Sequence, residues 1–246
     1  MNIILNPVYE SLRGYLMNIA DHFESGTEIH RGRNSIRTCQ INGITLNIKR
    51  YGAPAFPNRV VYTFLRSPKG LRAFQYPQEL IARGFESPEP VAYIEERRMG
   101  LISTSYFVSL QCPYTRRFYE FGNADINHCS DVITAFARFT ARLHAAGIMH
   151  LDYSPGNILF DRIDGQWHFS LVDTNRMAFK PISIECGCAN FARLWGQPPL
   201  FRLLAQEYAK ARGGDPVRCE QWVMQARKKF WKRFSKRHII KYDLNY

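Results

Sequence analysis

The chain has 246 residues, of which 46% are hydrophobic and 14% aromatic, and a formal net charge of +12. This composition excludes a disordered protein, and the length allows one large or two small domains with a sizeable core. No uncharged apolar run approaches the ~18–20 residues of a membrane span, and residues 1–7 lack the basic segment and apolar length of a signal peptide, so the expected location is the cytosol.

Residues 8–25 are aromatic and mixed, and are expected to form a short helix ahead of the core. From Gly26 the pattern turns strand-like, with strands expected over 28–31, 36–41 and 44–49. Residues 32–35 form a turn between the first two, and Asn42-Gly43 is a strong hairpin signal between the second and third. Lys49 falls near the end of the third strand. Residues 66–83 read as a helix with Leu71, Phe74, Leu80 and Ile81 on one face, and Pro77 should end or kink it. Glu79 lies in its last part. Two further strands are expected at 91–95 and 102–110, and residues 111–114 form a connector.

Beyond the connector, Val132, Phe136, Phe139, Leu143 and Ala146 recur at helical spacing, and Gly147 is a natural stop. His150, Asp152 and Asn157 follow. A strand at 158–160, a turn-rich piece at 161–166 and a strand at 167–172 then lead to Asp173. If the strands form a hairpin, its open end holds Asn157 beside Asp173, with Asp152 just before them. Two carboxylates and an amide oxygen make a hard oxygen cluster of the kind that suits Mg²⁺. Helices are expected near 189–195, 199–211 and 215–237. The six cysteines contain no Cys-x-x-Cys and read as free, mostly buried thiols.

Five strands with one helix, then a connector, then a mostly helical half carry Lys49, Glu79, His150-x-Asp152-x4-Asn157 and a strand-end Asp173 in that order. This resembles the protein-kinase-like fold: α+β and two-lobed, with an antiparallel sheet in an N-terminal nucleotide-binding lobe (1–112) and a mostly helical C-terminal catalytic lobe (113–246). Within that superfamily the chain looks most like the lipopolysaccharide core kinases, the Kdo/heptose kinase family. That likeness runs from about Gly26 to Leu194. It rests on the strand of residues 44–49, the Glu79 helix leading into residues 84–91, residues 143–147 before the catalytic loop, and residues 173–176 followed by 190–194.

The resemblance implies ATP and Mg²⁺ as cofactors. Lys49 would hold the α/β-phosphates and Glu79 would orient Lys49. Gly32, Arg33 and Asn34 would form the loop over the nucleotide. Asp152 would take or position the proton of a sugar hydroxyl, and Asn157 and Asp173 would hold the metal. His150 is expected to brace the backbone near Asp173 instead of acting as a base. Ser154 stands where Ser/Thr protein kinases carry Lys, Asp173 is followed by Thr-Asn instead of Phe-Gly, and no Ala-Pro-Glu follows. These departures point away from a regulated protein kinase and toward a small-molecule or glycolipid acceptor.

The acceptor implied is an inner-core sugar, Kdo or heptose, on a lipid A precursor in a Gram-negative bacterium. Arg176 and Arg193 are candidates to bind an anionic sugar acid or phosphate, and would otherwise be structural ion pairs. The basicity is local: residues 227–241 carry eight Lys/Arg and no Asp/Glu. With Trp222, Phe230, Trp231 and Phe234 this reads as an amphipathic helix over 222–241 laid on the anionic cytoplasmic face of the inner membrane. The competing reading is a docked helix with a solvated basic face; nucleic acid is not expected. Two other functions remain open at this point: a kinase of a soluble small molecule, as in aminoglycoside phosphotransferases, and a non-catalytic kinase-like binding module.

Overall fold

A computed structural model describes residues 1–32, 34–240 and 244–246, so Arg33 and Lys241 of the expectations above lie outside the described residues. The chain divides into two compact units, residues 1–113 with 173–175, and residues 114–172 with 176–246.

In the first unit six strands form one antiparallel sheet in the order β1-β5-β6-β4-β3-β2. They are β1 (Asn2–Leu5), β2 (Thr27–Arg31), β3 (Asn34–Ile41), β4 (Ile44–Tyr51), β5 (Pro90–Arg98) and β6 (Leu101–Leu110). The β3–β4 turn at Asn42-Gly43 has φ of 50° and 77°, the mirror-image turn that matches strand twist. Leu46, Ile48, Val91, Ala92, Ile94 and Val108 pack on Leu12, Leu16, Ile19 and Phe23 to form its core. Those last four come from the segment expected as one helix. It is instead a 3-10 turn (Pro7–Leu12) and two short helices, α1 (Arg13–Met17) and α2 (Ile19–Phe23), separated at Asn18, whose φ of −109° and ψ of 26° leave the helical region. β1 was not expected. It is four residues long and gains its order from pairing with β5, which local pattern does not show.

Two helices link β4 to β5: α3 (Phe56–Phe64) and α4 (Lys69–Ala82). Pro77 neither ends nor breaks α4. Its ring is buried in the stripe Gly70, Ala73, Phe74, Pro77 and Leu80, and the Gln78 side chain donates to the Phe74 carbonyl at 3.1 Å beside the missing donor. The continuous register leaves Ile81, expected on the apolar face, 41% exposed.

The second unit is built on α5 (Ser130–Ala145), which ends at Gly147 in the left-handed region (φ 73°) with the carbonyl of Lys180 3.1 Å from where a Cβ would stand. Three strands, β7 (Arg116–Arg117), β9 (Ile158–Ile163) and β10 (Gln166–Leu171), form a sheet in the order β10-β9-β7. β8 (Ile148–His150) pairs with β11 (Met177–Phe179). Three helices follow: α6 (Ile184–Asn190), α7 (Pro198–Arg212) and α8 (Pro216–Phe234). The core is aromatic. Phe118 lies 4.3 Å from Phe136, and Phe136 lies 5.3 Å from Phe169 and 5.6 Å from Tyr153 between ring centroids. α8 turns Cys219, Val223, Arg227 and Trp231 inward and keeps Lys228, Lys229, Lys232 and Arg233 exposed.

Candidate active site

In the first unit, β4 lies between β3 and β6 and brings Lys49 to a mostly buried position. Lys49 Nζ donates to Asp173 Oδ1 at 2.6 Å. Asn175 Nδ2 donates to the same oxygen at 2.5 Å. Both donors thus fall on Oδ1, so that among the described residues Oδ2 remains for a cation. Asp173 has a φ of 54°, where a non-glycine residue is held only by its surroundings and where Asx residues are the best tolerated.

Tyr51, two residues along the same strand face, has its ring 5.5 Å from Lys49 Nζ. Burial, and then the Asp173 carboxylate, push its phenol well above the ordinary range, and the positive charge of Arg72 on α4 opposes this. Arg72 Nε is buried without a hydrogen-bond partner among the described residues.

In the second unit, β8 delivers the fully buried His150. Its Nδ1 accepts the Asp152 N–H at 3.0 Å, and its Nε2 faces the Val172 carbonyl at 3.0 Å. One nitrogen must accept and the other donate, so the proton sits on Nε2 and the ring clamps the loop to the end of β10. Asn157 Nδ2 donates to the Asp152 carbonyl at 2.8 Å, and the Asn157 carbonyl accepts the Val172 N–H at 3.0 Å. With its amide nitrogen committed, Asn157 keeps Oδ1 as an acceptor. Hard oxygens of this kind are the donor set Mg²⁺ takes.

Asp152 Oδ1 is 2.7 Å from Arg193 Nη2, and its Oδ2 is 3.4 Å from Arg176 Nη1. Tyr153 points the other way, fully buried, with its hydroxyl 2.8 Å from Thr140 Oγ1. Beneath β8, Asn190 Nδ2 donates to the His150 carbonyl at 3.0 Å and Asn190 Oδ1 lies 3.2 Å from His144 Nε2. His144 Nδ1 lies 2.9 Å from the Tyr208 hydroxyl. Burial lowers the His144 pKa to about 4.

The sequence expectations therefore meet the structure unevenly. Lys49 with Asp173, and Asp152 with Arg176, Arg193 and the Asn157 amide, are brought together. Glu79 is not brought to Lys49: it sits on the solvent face of α4, and Arg83, one turn on, binds it at 2.5 Å. Gly32 lies in the exposed β2–β3 turn, and Asn34 opens β3 opposite Tyr51. Tyr51, Arg72 and Asn175 escaped the sequence reading. The period-two spacing from Lys49 is a signal for Tyr51; Arg72 and Asn175 carry none of comparable specificity.

The model of the lipopolysaccharide kinase (Kdo/WaaP) family matches residues 27–195. The chain belongs to this family. It is a lipopolysaccharide kinase, hence a phosphotransferase that acts on a sugar hydroxyl. No curated protein matches it. Among solved structures, it is similar to one described as WaaP in complex with acyl carrier protein, at 16% identity and a TM-score of 0.62, over 94% of this chain and 100% of that one. At that identity the likeness shows the fold alone: the kinase has the two-lobed, protein-kinase-like α+β fold.

Proposed function

We propose that this kinase uses ATP and Mg²⁺ to phosphorylate an inner-core sugar, Kdo or heptose, carried on a lipid A precursor at the cytoplasmic face of the inner membrane of a Gram-negative bacterium. The observation that carries this reading is the Lys49–Asp173 ion pair, between residues 124 apart in sequence. A strand lysine against a strand-end aspartate is what a phosphate-holding cation and a metal-holding carboxylate need in order to act on one nucleotide. Lys49 would hold the nucleotide phosphates, and Gly32, Arg33 and Asn34 would cover them. Asp173 Oδ2 and Asn157 Oδ1 would hold Mg²⁺. The metal supplies charge neutralisation of the phosphates when bound.

The acceptor hydroxyl is positioned by Asp152. As its oxygen bonds to the γ-phosphorus, the bond from that phosphorus to the β–γ bridging oxygen breaks, ADP leaves, and the hydroxyl proton passes to an Asp152 oxygen. Arg176 and Arg193, one at each oxygen of Asp152, would meet the carboxylate of a sugar acid. The basic face of α8 within 222–241 would add electrostatic attraction to anionic lipid.

The test uses purified protein, γ-labelled ATP and a Kdo-bearing or heptose-bearing lipid A precursor, with product analysis by mass spectrometry. One phosphate added to the core sugar, and lost when Asp152 is replaced by Ala, is the expected result. Transfer only to soluble sugars or aminoglycosides would sink the lipid-linked acceptor. Asp152→Ala protein that still restores a deletion strain would sink catalysis itself.

A further inference from the structure

α3 is a nine-residue helix with no buried residue. Phe56, Val60 and Phe64 recur at i, i+4 and i+8 on one side, and Leu65 follows directly. Phe64 is 70% and Leu65 80% exposed. Two bonds nevertheless fix the helix to the sheet: Arg59 Nε donates to the Ile102 carbonyl at 2.9 Å, and the Ile102 N–H donates to Thr63 Oγ1 at 3.1 Å. Ile102 lies just past the β5–β6 hairpin tip. At that tip Met99 is 95% exposed with a φ of 53°, a left-handed conformation that an unbranched apolar side chain adopts only under constraint. A fixed apolar stripe and a protruding methionine thus stand at one end of the sheet.

The charge on these segments is mostly positive, with Arg66 and Arg98 exposed. From Tyr51 to Gln78 the chain carries Arg59, Arg66, Lys69 and Arg72 and no Asp or Glu, and Arg98 flanks Met99. The hairpin carries two carboxylates: Glu95 is buried and bound by the Tyr93 hydroxyl at 2.7 Å and by Arg97 at 2.6 Å, and Glu96, half-buried, alternates to the other face of β5, beside Tyr106. Exposed aromatic and aliphatic side chains framed by arginines match a bilayer with anionic headgroups, the apolar groups entering the acyl boundary and the cations meeting phosphates. α8 does not offer the same combination, because Val223 and Trp231 on its apolar side are buried against the protein.

We infer that the outer face of α3, with the Met99 tip, is the membrane-inserting surface of this kinase and seats it on anionic bilayers. The inference rests on the lipid-linked acceptor proposed above. Its test is flotation of the full chain with vesicles of phosphatidylcholine alone or with about one third phosphatidylglycerol. Phosphorylation of a vesicle-embedded acceptor and of a detergent-dispersed one is measured alongside. Phe64→Ser with Leu65→Ser alters only exposed groups; Met99→Gly removes the second prong and relieves the backbone.

The expected result is binding to the anionic vesicles, lowered at least tenfold by the Phe64/Leu65 pair and severalfold by Met99→Gly. Transfer to the embedded acceptor should fall in step, while transfer to the dispersed one and the melting temperature stay unchanged. Equal vesicle binding by wild type and variants overturns the inference. So does wild-type self-association in sedimentation that the pair abolishes without any vesicle binding, since the face would then join two copies of the chain. Vesicle binding lost in the variants, but with no acceptor phosphorylated by wild type, upholds the surface and defeats the proposed reaction instead.

Discussion

Asp173 carries two demands at once: a carboxylate for Lys49 and a left-handed backbone. Asn tolerates that backbone as Asp does, whereas Ala does not. Asp173→Asn and Asp173→Ala should therefore be equally inactive, both leaving Lys49 in a mostly buried position without its counter-charge. Asp173→Ala should in addition be about 1 kcal/mol less stable than Asp173→Asn, from the left-handed strain. Paired chemical denaturation curves measure this, and equal midpoints would show that the strain is not held there. Asp152 is the complementary case. Asp152→Asn keeps the shape and the main-chain bonds to His150 and Asn157 but loses the proton acceptor that the proposed reaction requires, so kcat should fall by about 10²–10⁴ with ATP binding retained.

At the scale of elements, the loop of residues 150–157 is held from below by α5, α6 and α7 through His144, Asn190 and Tyr208. His144 Nε2 donates to Asn190, so Nδ1 accepts from the Tyr208 hydroxyl, and the ring must be neutral. Its folded pKa, about 4, lies below its ordinary value of 6.5. Between those two values the unfolded chain binds a proton that the folded chain refuses, so stability is fully present above pH 6.5 and is lost as pH falls toward 4. The loss approaches about 3 kcal/mol at the lower end, at about 1.4 kcal/mol per pKa unit. Denaturation midpoints from pH 7 to pH 4.5 should show this slope, and His144→Gln should flatten it. Gly187 on α6 belongs to the same junction. A Cβ there would stand 1.9 Å from the Tyr208 hydroxyl and 2.7 Å from His144 Nδ1. Gly187→Ala should cost about 1–3 kcal/mol, the range for overpacking a filled core, and should lower kcat without moving the ATP KM.

These elements also show what sequence could and could not supply. The strands of residues 28–49 and the helix of 130–145 were legible because period and turn chemistry agree along each of them. That Lys49 would meet Asp173, and Asp152 the Asn157 amide, was legible because their order and spacing are specific. β1 and α3 were not: one is a strand only by pairing with β5, the other an apolar helix with no buried face. Glu79 was misassigned to Lys49 because a glutamate's presence on a helix does not tell its direction. With Pro77 buried, the register turns Glu79 to solvent, where Arg83 takes it. Arg193 was legible as a cation, but its position at Asp152 comes from a 3-10 turn after α6 that local pattern does not place.

At the scale of the whole molecule, the charge of +12 has to be separated from the fold. The segment 222–246 is a poor candidate for removal, because α8 packs on α6 and α7 and carries Arg227, which is fully buried. Arg227 Nη2 donates to the carbonyls of Gly196 and Leu244, and its guanidinium lies 4.2 Å from the Phe201 ring centroid. Burial lowers its pKa to about 10, still a cation at neutral pH. Deleting α8 would strip the apolar faces of its neighbours, and loss of activity would then report unfolding instead of lost membrane attraction. The exposed charges can be changed without that cost. Replacing Lys228, Lys229, Lys232, Arg233, Lys236 and Arg237 with Ser removes six positive charges from the solvent side and leaves Val223, Arg227 and Trp231 in place. The melting temperature should hold. Binding to anionic vesicles should weaken and lose most of its salt dependence, since each such cation near a charged bilayer contributes about 1 kcal/mol at physiological ionic strength. Binding that keeps its full salt dependence in this variant would place the electrostatic contact elsewhere on the chain, with the arginines around α3 the next to be changed.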